Sequence, residues 1–481
     1  MEFPFFHLDF MGNRMLIAVI AILHVLINHT LAVGFIPLMT LMEYFGYRKR
    51  KTDPDFSQKW DKLTYKMMFV AFVITTSLGA MTGVGIWLSA SLINPYSIGS
   101  LIRVFYGAWF TEWIIFVLEV VFIMYYFLQW KKSNESPGAK IRHIRFGAFL
   151  SVFSWLTMAI IVAILGFMMD TGSWDSDATF LSGVLNPLYL PQLYFRTPLA
   201  MAMAGTFALF LLIFFQKKDN EVHAKAKQYI SLWVLGWTPV AAAGAFAYYL
   251  QIPDAMFGNL PTAVGTMAFA SWYDTMLKII IGAVAISLLI ALLSVLVPKR
   301  IPRLTYFLPI IAMFIFLGYF ERIREFIRKP YVIGEYMYAN TLRAEDYPLF
   351  KKEGLLKYAT YSTVREITPE NEVEAGKNVF MLACSRCHTV SGINSIADKF
   401  QKMVPKGEPV TAKVVADYIP NMHRVWYYMP EFPGNEEELH ALSKWVVEVS
   451  KNPEYLEGAQ SGGLFLSSEK NNVDQNLAEE K

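Results

Sequence analysis

The chain has 481 residues and a formal net charge of +3, a balance that argues against a nucleic-acid surface. Hydrophobic residues make up 54% and charged residues 17% of it, against about 45–50% and about a quarter in soluble proteins, and mean hydropathy is +0.34. That composition excludes an ordinary soluble globule. The two cysteines lie close together and make a poor disulfide framework.

A helix crossing a bilayer needs about 20 apolar residues. Runs of that kind predict about eight spans, at 15–44, 67–94, 102–130, 144–169, 191–215, 227–250, 276–297 and 304–326. The first run is too long for a cleavable signal and lacks a small-residue cleavage site, so it is read as a span. The linkers alternate in charge. Basic clusters follow spans one ("YRKRK"), three ("KKSNESPGAKIRHIR"), five ("QKKDNEVHAKAK") and seven ("PKRIPR"). The linkers after spans four and six hold acids and no Lys or Arg. Positive loops stay in the cytoplasm. The N-terminus and everything after span eight are therefore expected on the outer face of the membrane.

Ionisable residues inside a membrane are costly and are functional candidates. Span one carries His24 and His29, span three Glu112 and Glu119, and span seven opens with Asp274 and Lys278. Glu112 and Glu119 share a helix face about 10 Å apart along the axis, and that face is expected to meet the bundle interior. His24 and Asn28 share a face while His29 points elsewhere, so His29 is read as a packing residue. Span eight ends in "YFERIREFIRKPYVIGE". There Arg322, Arg324 and Arg328 are candidates to neutralise anionic groups, or else form a basic girdle.

Beyond the spans, residues 331–370 are expected as a linker, 371–455 as a small globular domain and 456–481 as a disordered polar tail. Both cysteines fall in "ACSRCHTV", and Cys-x-x-Cys-His is the attachment signature of c-type haem. Cys384 and Cys387 would form the thioethers, and His388 would be an axial iron ligand. A zinc site would want further ligands, and there is no other cysteine. Gly376 and Phe380 precede the motif at helical spacing; a Met-Pro pair and a helix ending near Trp445 follow it. This pattern resembles class I cytochrome c domains. The resemblance implies Met429 as second axial ligand, with Met422 as the alternative. A Met/His pair raises the reduction potential.

The membrane part also resembles a family. "NRMLIAVIAILHVLI", "AMTGVGIW", "EWIIFVLEVVFIMYYFLQW" and "EFIRKPYVIGE" resemble, in order and spacing, motifs of the large subunit of cytochrome bd-type oxygen reductases. The resemblance implies that His24 and Glu325 ligate membrane haem iron, that Arg14 and Arg328 support the site, and that Lys278 lies near haem propionates. A salt bridge between Glu325 and Arg328 is the plainer reading of that pair. Glu119 and Glu112 are implied in proton delivery, although only Glu119 matches the family position and Glu112 is one residue off. The family's low-spin b haem uses a histidine and a methionine where this chain has Arg196 and Ile280, so that haem is expected to be absent. The family's long quinol-binding loop is reduced to about 25 residues between spans six and seven.

The expected fold is all-α: a polytopic membrane helix bundle plus a small α-helical cytochrome c domain. The expected cofactors are one covalent haem c and one or two membrane haems of b or d type. The expected function is a bd-like haem oxidoreductase that takes electrons from an outer-face donor, such as a c-type cytochrome, reduces oxygen and works beside a second integral subunit. The alternatives are an electron relay in a larger respiratory complex and a non-catalytic anchor for the cytochrome domain.

Overall fold

A computed structural model describes residues 3–215, 221–265 and 272–451. The tail expected to be disordered, 456–481, lies outside the described residues. Within them the fold is all-α, with eight helical segments long and apolar enough to cross a membrane. These are Asn13–Lys49, Pro54–Ile93, Tyr106–Ser133, Pro137–Phe167, Tyr189–Phe215, Glu221–Tyr249, Tyr273–Leu296 and Arg303–Ile327. Each overlaps its expected span. Several run past the apolar stretch, because polar caps rather than hydropathy set helix ends. Asp53 accepts the Phe56 amide at 3.0 Å ahead of the second span. Ser136 accepts the Ala139 amide at 3.1 Å ahead of the fourth. Each cap is followed by a proline at the first helical position, where a missing N–H costs nothing.

The chain divides into two compact units. The membrane unit comprises Ile20–Ile86 and Leu101–Ile327. Its core gathers Phe35, Met39, Trp60, Met67, Tyr126, Trp130, Leu212 and Ile230, all buried. Two spans carry π-helical turns, Asn28–Gly34 in the first and Thr75–Gly79 in the second; wide turns of this kind often mark functional sites. Gly34 closes the first of them because a β-carbon there would overlap the Ala200 carbonyl of the fifth span.

The second unit gathers residues up to Val19, the segment Trp87–Ser100 and the described residues from Arg328 on. The helix Glu372–Ala383 crosses the helix Glu436–Lys451. A β-carbon on Gly376 would overlap the Ala441 carbonyl, so the crossing needs glycine. Phe380 packs on Trp445 with ring centroids 4.7 Å apart. The segment 331–370, expected as a linker, is instead part of this core. Tyr347, Phe350, Leu355 and Leu356 are buried with Val379, Phe380, Leu442 and Trp445. Glu438 holds it down by accepting the Leu355 and Leu356 amides at 2.8 and 2.7 Å. An antiparallel ribbon, Tyr331–Ile333 with Met337–Tyr338, is the sheet among the described residues.

Candidate functional site

In the second unit, the helix Glu372–Ala383 ends at Cys384, and the chain turns through Cys387 and His388. Both cysteines are free and partly exposed. Burial pushes the Cys384 thiol up to about 12, with the neighbouring Cys387 adding to it. A free thiolate is therefore disfavoured, which argues against a reactive redox thiol at Cys384. Burial, with the charges of Lys399 and Arg14, pushes His388 down to about 4, so its imidazole is neutral, as an iron ligand must be. His388 Nδ1 lies 3.2 Å from the Asn394 carbonyl. A carbonyl only accepts, so Nδ1 carries the proton and Nε2 keeps its lone pair. Asn394 reaches this position with φ +65°, a conformation asparagine tolerates, and its side chain donates to the Cys387 carbonyl at 2.6 Å. Donor chemistry and tautomer both fit an attached haem.

Of the two methionine candidates, Met422 packs against the hydrophobic core of this unit. Met429 sits in the loop 426–430, where its amide donates to the Trp426 carbonyl at 2.8 Å and His423 Nδ1 donates to its carbonyl at 2.5 Å. Arg328 is buried and donates to the Val332 carbonyl at 2.9 Å. Arg14, expected near the membrane haem, belongs to this unit and lies close enough to His388 for its charge to count.

In the membrane unit, His24 Nδ1 lies 3.1 Å from Thr82 Oγ1. The Thr82 hydroxyl is already aimed at the carbonyls of Leu78 and Gly79, at 2.7 and 3.1 Å, so it accepts from His24. His24 is thereby an Nδ1–H tautomer with Nε2 available, the arrangement of a metal-ligating histidine with its outer-shell partner. Gly83 faces the ring closely; a β-carbon there would lie 3.2 Å from His24 Cε1. Glu325 is half-buried near the end of the eighth span, and Lys278 is exposed near the start of the seventh. Glu119 is buried with Oε1 unpartnered among the described residues. Glu112 is only half-buried, and the adjacent Phe110 and Trp113 are exposed. The third-span face expected to turn inward is thus enclosed at Glu119 and partly open at Glu112.

Two buried polar networks were not anticipated. Arg196 is wholly buried and donates to Glu321 Oε1 at 2.8 Å; its Nη1 lies 3.1 Å from His29 Nε2. Arg324 donates to Glu321 Oε2 at 2.9 Å, so this arginine is held inside the bundle by a carboxylate of its own helix. His29, read from sequence as a packing residue, is a member of this chain of contacts. The second network centres on Glu43, which accepts from Tyr126 at 2.8 Å and from Lys140 and His143 at 2.7 Å. Lys140 also pairs with Asp61 at 2.6 Å. Tyr126 falls seven residues beyond Glu119, on the same face of the third span. The one sequence signal for the first network was Arg196 standing where the resemblance to bd-type reductases leads one to expect a ligand; the second had no local signal.

No protein-family model matches the sequence, and no curated protein matches it. A solved structure does: a bd oxidase from Geobacillus thermodenitrificans, with a TM-score of 0.51 at 13% identity, over 67% of this chain and 89% of that chain. About two thirds of the chain therefore has the helical fold of a bd oxidase chain.

Proposed function

We propose that the protein is a bd-like membrane haem oxidoreductase in which a covalent c-haem supplies the electrons. One observation carries this reading: a chain with the bd oxidase fold also holds a Cys-x-x-Cys-His loop whose histidine keeps Nε2 available. The crossing of the helices around Gly376 and the Phe380–Trp445 contact supports a class I cytochrome c arrangement for that unit.

Cys384, Cys387, His388 and Met429 would hold the c-haem, and His24 and Glu325 would ligate one or two membrane haems of b or d type. These groups would supply one-electron transfer and oxygen reduction. The chain's own residues bind and orient them and handle protons. Asn394 and Thr82 fix the tautomers of His388 and His24. Met429 is preferred to Met422 because it stands in the Met-Pro loop of the class I pattern, while Met422 packs against the hydrophobic core. Arg196, at the position of the family's low-spin ligand, is bound to Glu321 and leaves no ligand there.

Glu119 and Glu112 are carboxyls suited to holding and passing a proton. Tyr126, about 10 Å along the helix from Glu119, joins the Glu43–His143–Lys140–Asp61 network, which lies toward the basic, cytoplasmic loops. That network is the proposed source of the protons. The N-terminus and the cytochrome unit are assigned to the outer face of a bacterial cytoplasmic membrane, where a c-type cytochrome would donate. The half-buried Glu112 supports a second integral subunit covering that part of the third span.

The test is oxygen consumption by the purified protein with reduced cytochrome c, alongside carbon monoxide difference spectra. Turnover with a carbon monoxide-sensitive haem is expected. Membrane haem without turnover or carbon monoxide binding would favour a relay, and c-type bands alone would favour an anchor.

A further inference from the structure

We propose that Asp9 is a positioning residue for His388, acting through the loop that follows the Cys-x-x-Cys-His motif. The inference rests on the reading of that motif as a haem-attachment site. It joins residues 381 positions apart in sequence that lie within the same unit.

Asp9 is buried, 3% exposed. Its Oδ1 accepts the Val390 amide at 2.5 Å, and its Oδ2 accepts the Ser391 amide at 3.1 Å and the Ser391 hydroxyl at 2.9 Å. His7, also buried, lies 3.0 Å from Oδ1 and packs edge-on against Phe380. A buried carboxylate is tolerated only when donors surround it, and here the donors are the loop and His7. The fit is close on both sides. A β-carbon on Gly392 would overlap the Asp9 carbonyl, and one on Gly12 would lie 3.3 Å from Thr389 Cγ2. The N-terminal arm is itself braced: Asn13 accepts the Leu8 amide at 2.9 Å and donates to the Phe6 carbonyl at 2.8 Å.

The loop transmits the hold to the histidine. Thr389 Oγ1 donates to the Ile393 carbonyl at 3.0 Å, and Ser395 Oγ donates to the Val390 carbonyl at 2.8 Å. Between them sits Asn394, whose carbonyl takes the His388 Nδ1 proton. The hydrogen bond on the outer nitrogen of a ligating histidine orients the ring and makes it a stronger donor to the metal. Loosening the loop weakens that bond. A less electron-rich imidazole then favours ferrous over ferric iron, and the potential rises.

The test is a redox titration of the c-type α-band in the full-length protein, comparing wild type with Ser391→Ala, Asp9→Asn, Asp9→Ala and the Asp9→Ala/Ser391→Ala double variant. Ser391→Ala keeps the Asp9 charge and removes one hydrogen bond. It is expected to raise the reduced-to-oxidised ratio at fixed ambient potential about threefold, an upward shift of about 30 mV at 59 mV per tenfold. Asp9→Asn and Asp9→Ala are expected to raise it further, and the double variant no further than Asp9→Ala. If Asp9→Ala fails to fold, Ser391→Ala and Asp9→Asn still decide the matter. An unmoved midpoint in Ser391→Ala, or full additivity in the double variant, overturns the proposal, since charge alone would then explain any Asp9 effect. Wild-type protein without covalent haem overturns the parent reading and this one together; covalent haem with unmoved midpoints overturns only the role of Asp9.

Discussion

Arg196 and Glu321 meet at 2.8 Å in the interior of the membrane unit, from the fifth and eighth spans, with the arginine wholly buried. Arg324 takes the second carboxylate oxygen, so one acid serves a buried and a partly buried cation. Breaking a buried pair costs about 3–5 kcal/mol because a charge is left uncompensated. Glu321→Ala is therefore expected to lower the stability of the detergent-solubilised protein by that order. Adding Arg196→Met should recover part of the loss, with a coupling of about 0.5–3 kcal/mol. A double-mutant cycle followed by denaturant unfolding measures it.

His24 and Thr82 give a graded prediction. His24→Ala should abolish the high-spin haem signal of the membrane unit while leaving the c-type bands. Thr82→Val removes the outer-shell acceptor, and losses of about 10–100-fold in affinity or activity are usual for such a partner. Haem titration into stripped protein reads both. A carbon monoxide difference spectrum unchanged in His24→Ala would remove His24 from the ligand set.

Glu438 ties residues 355–356 to the last helix of the second unit. Glu438→Ala leaves the Leu355 and Leu356 amides without their acceptor. Hydrogen bonds to a charged group contribute about 1.5–3 kcal/mol, so a destabilisation of at least that order is expected. Limited proteolysis should show earlier cleavage within 354–371 in this variant than in wild type.

Several of these features could be read from sequence and several could not, for one physical reason: distance along the chain. The spans were visible because a bilayer demands about 20 apolar residues in a row. The Cys384–His388 motif was visible because its residues are adjacent in sequence, and Gly376 and Phe380 because a helix repeats every few residues. Helix ends were blurred, since Asp53 and Ser136 lie outside the apolar runs they cap. The stretch 331–370 looked like a linker because it has no periodic apolar face; it docks through a few anchors, Tyr347, Phe350, Leu355 and Leu356, and through Glu438 more than eighty residues away. Arg196 could be noticed as a departure, but not that Glu321 answers it. Nothing near Asp9 announced its partners.

The pH response of Asp9 follows from its surroundings. Burial alone would raise its pKa, but the hydrogen bonds from His7, Val390 and Ser391 outweigh it and hold the carboxyl below its usual value of 3.8. A depressed carboxyl contributes stability that is fully present above the unfolded-state pKa and is lost as pH falls through the lower native value. The stability difference between wild type and Asp9→Asn should therefore be constant from pH 7 to about 5 and shrink below about 4. Thermal unfolding of both proteins at pH 7, 5 and 3 measures it; a difference that grows on acidification would contradict this account.

The central claim is that iron porphyrin is held in both units of one chain, covalently at Cys384 and Cys387 and through ligands such as His24 in the membrane bundle. Acid-acetone extraction of the purified protein, with mass analysis of the extract and of the residual polypeptide, tests it most directly. The account predicts one haem retained on the peptide bearing Cys384 and Cys387, and one or two b- or d-type haems released. A polypeptide of unmodified mass, or an extract free of haem, would contradict it.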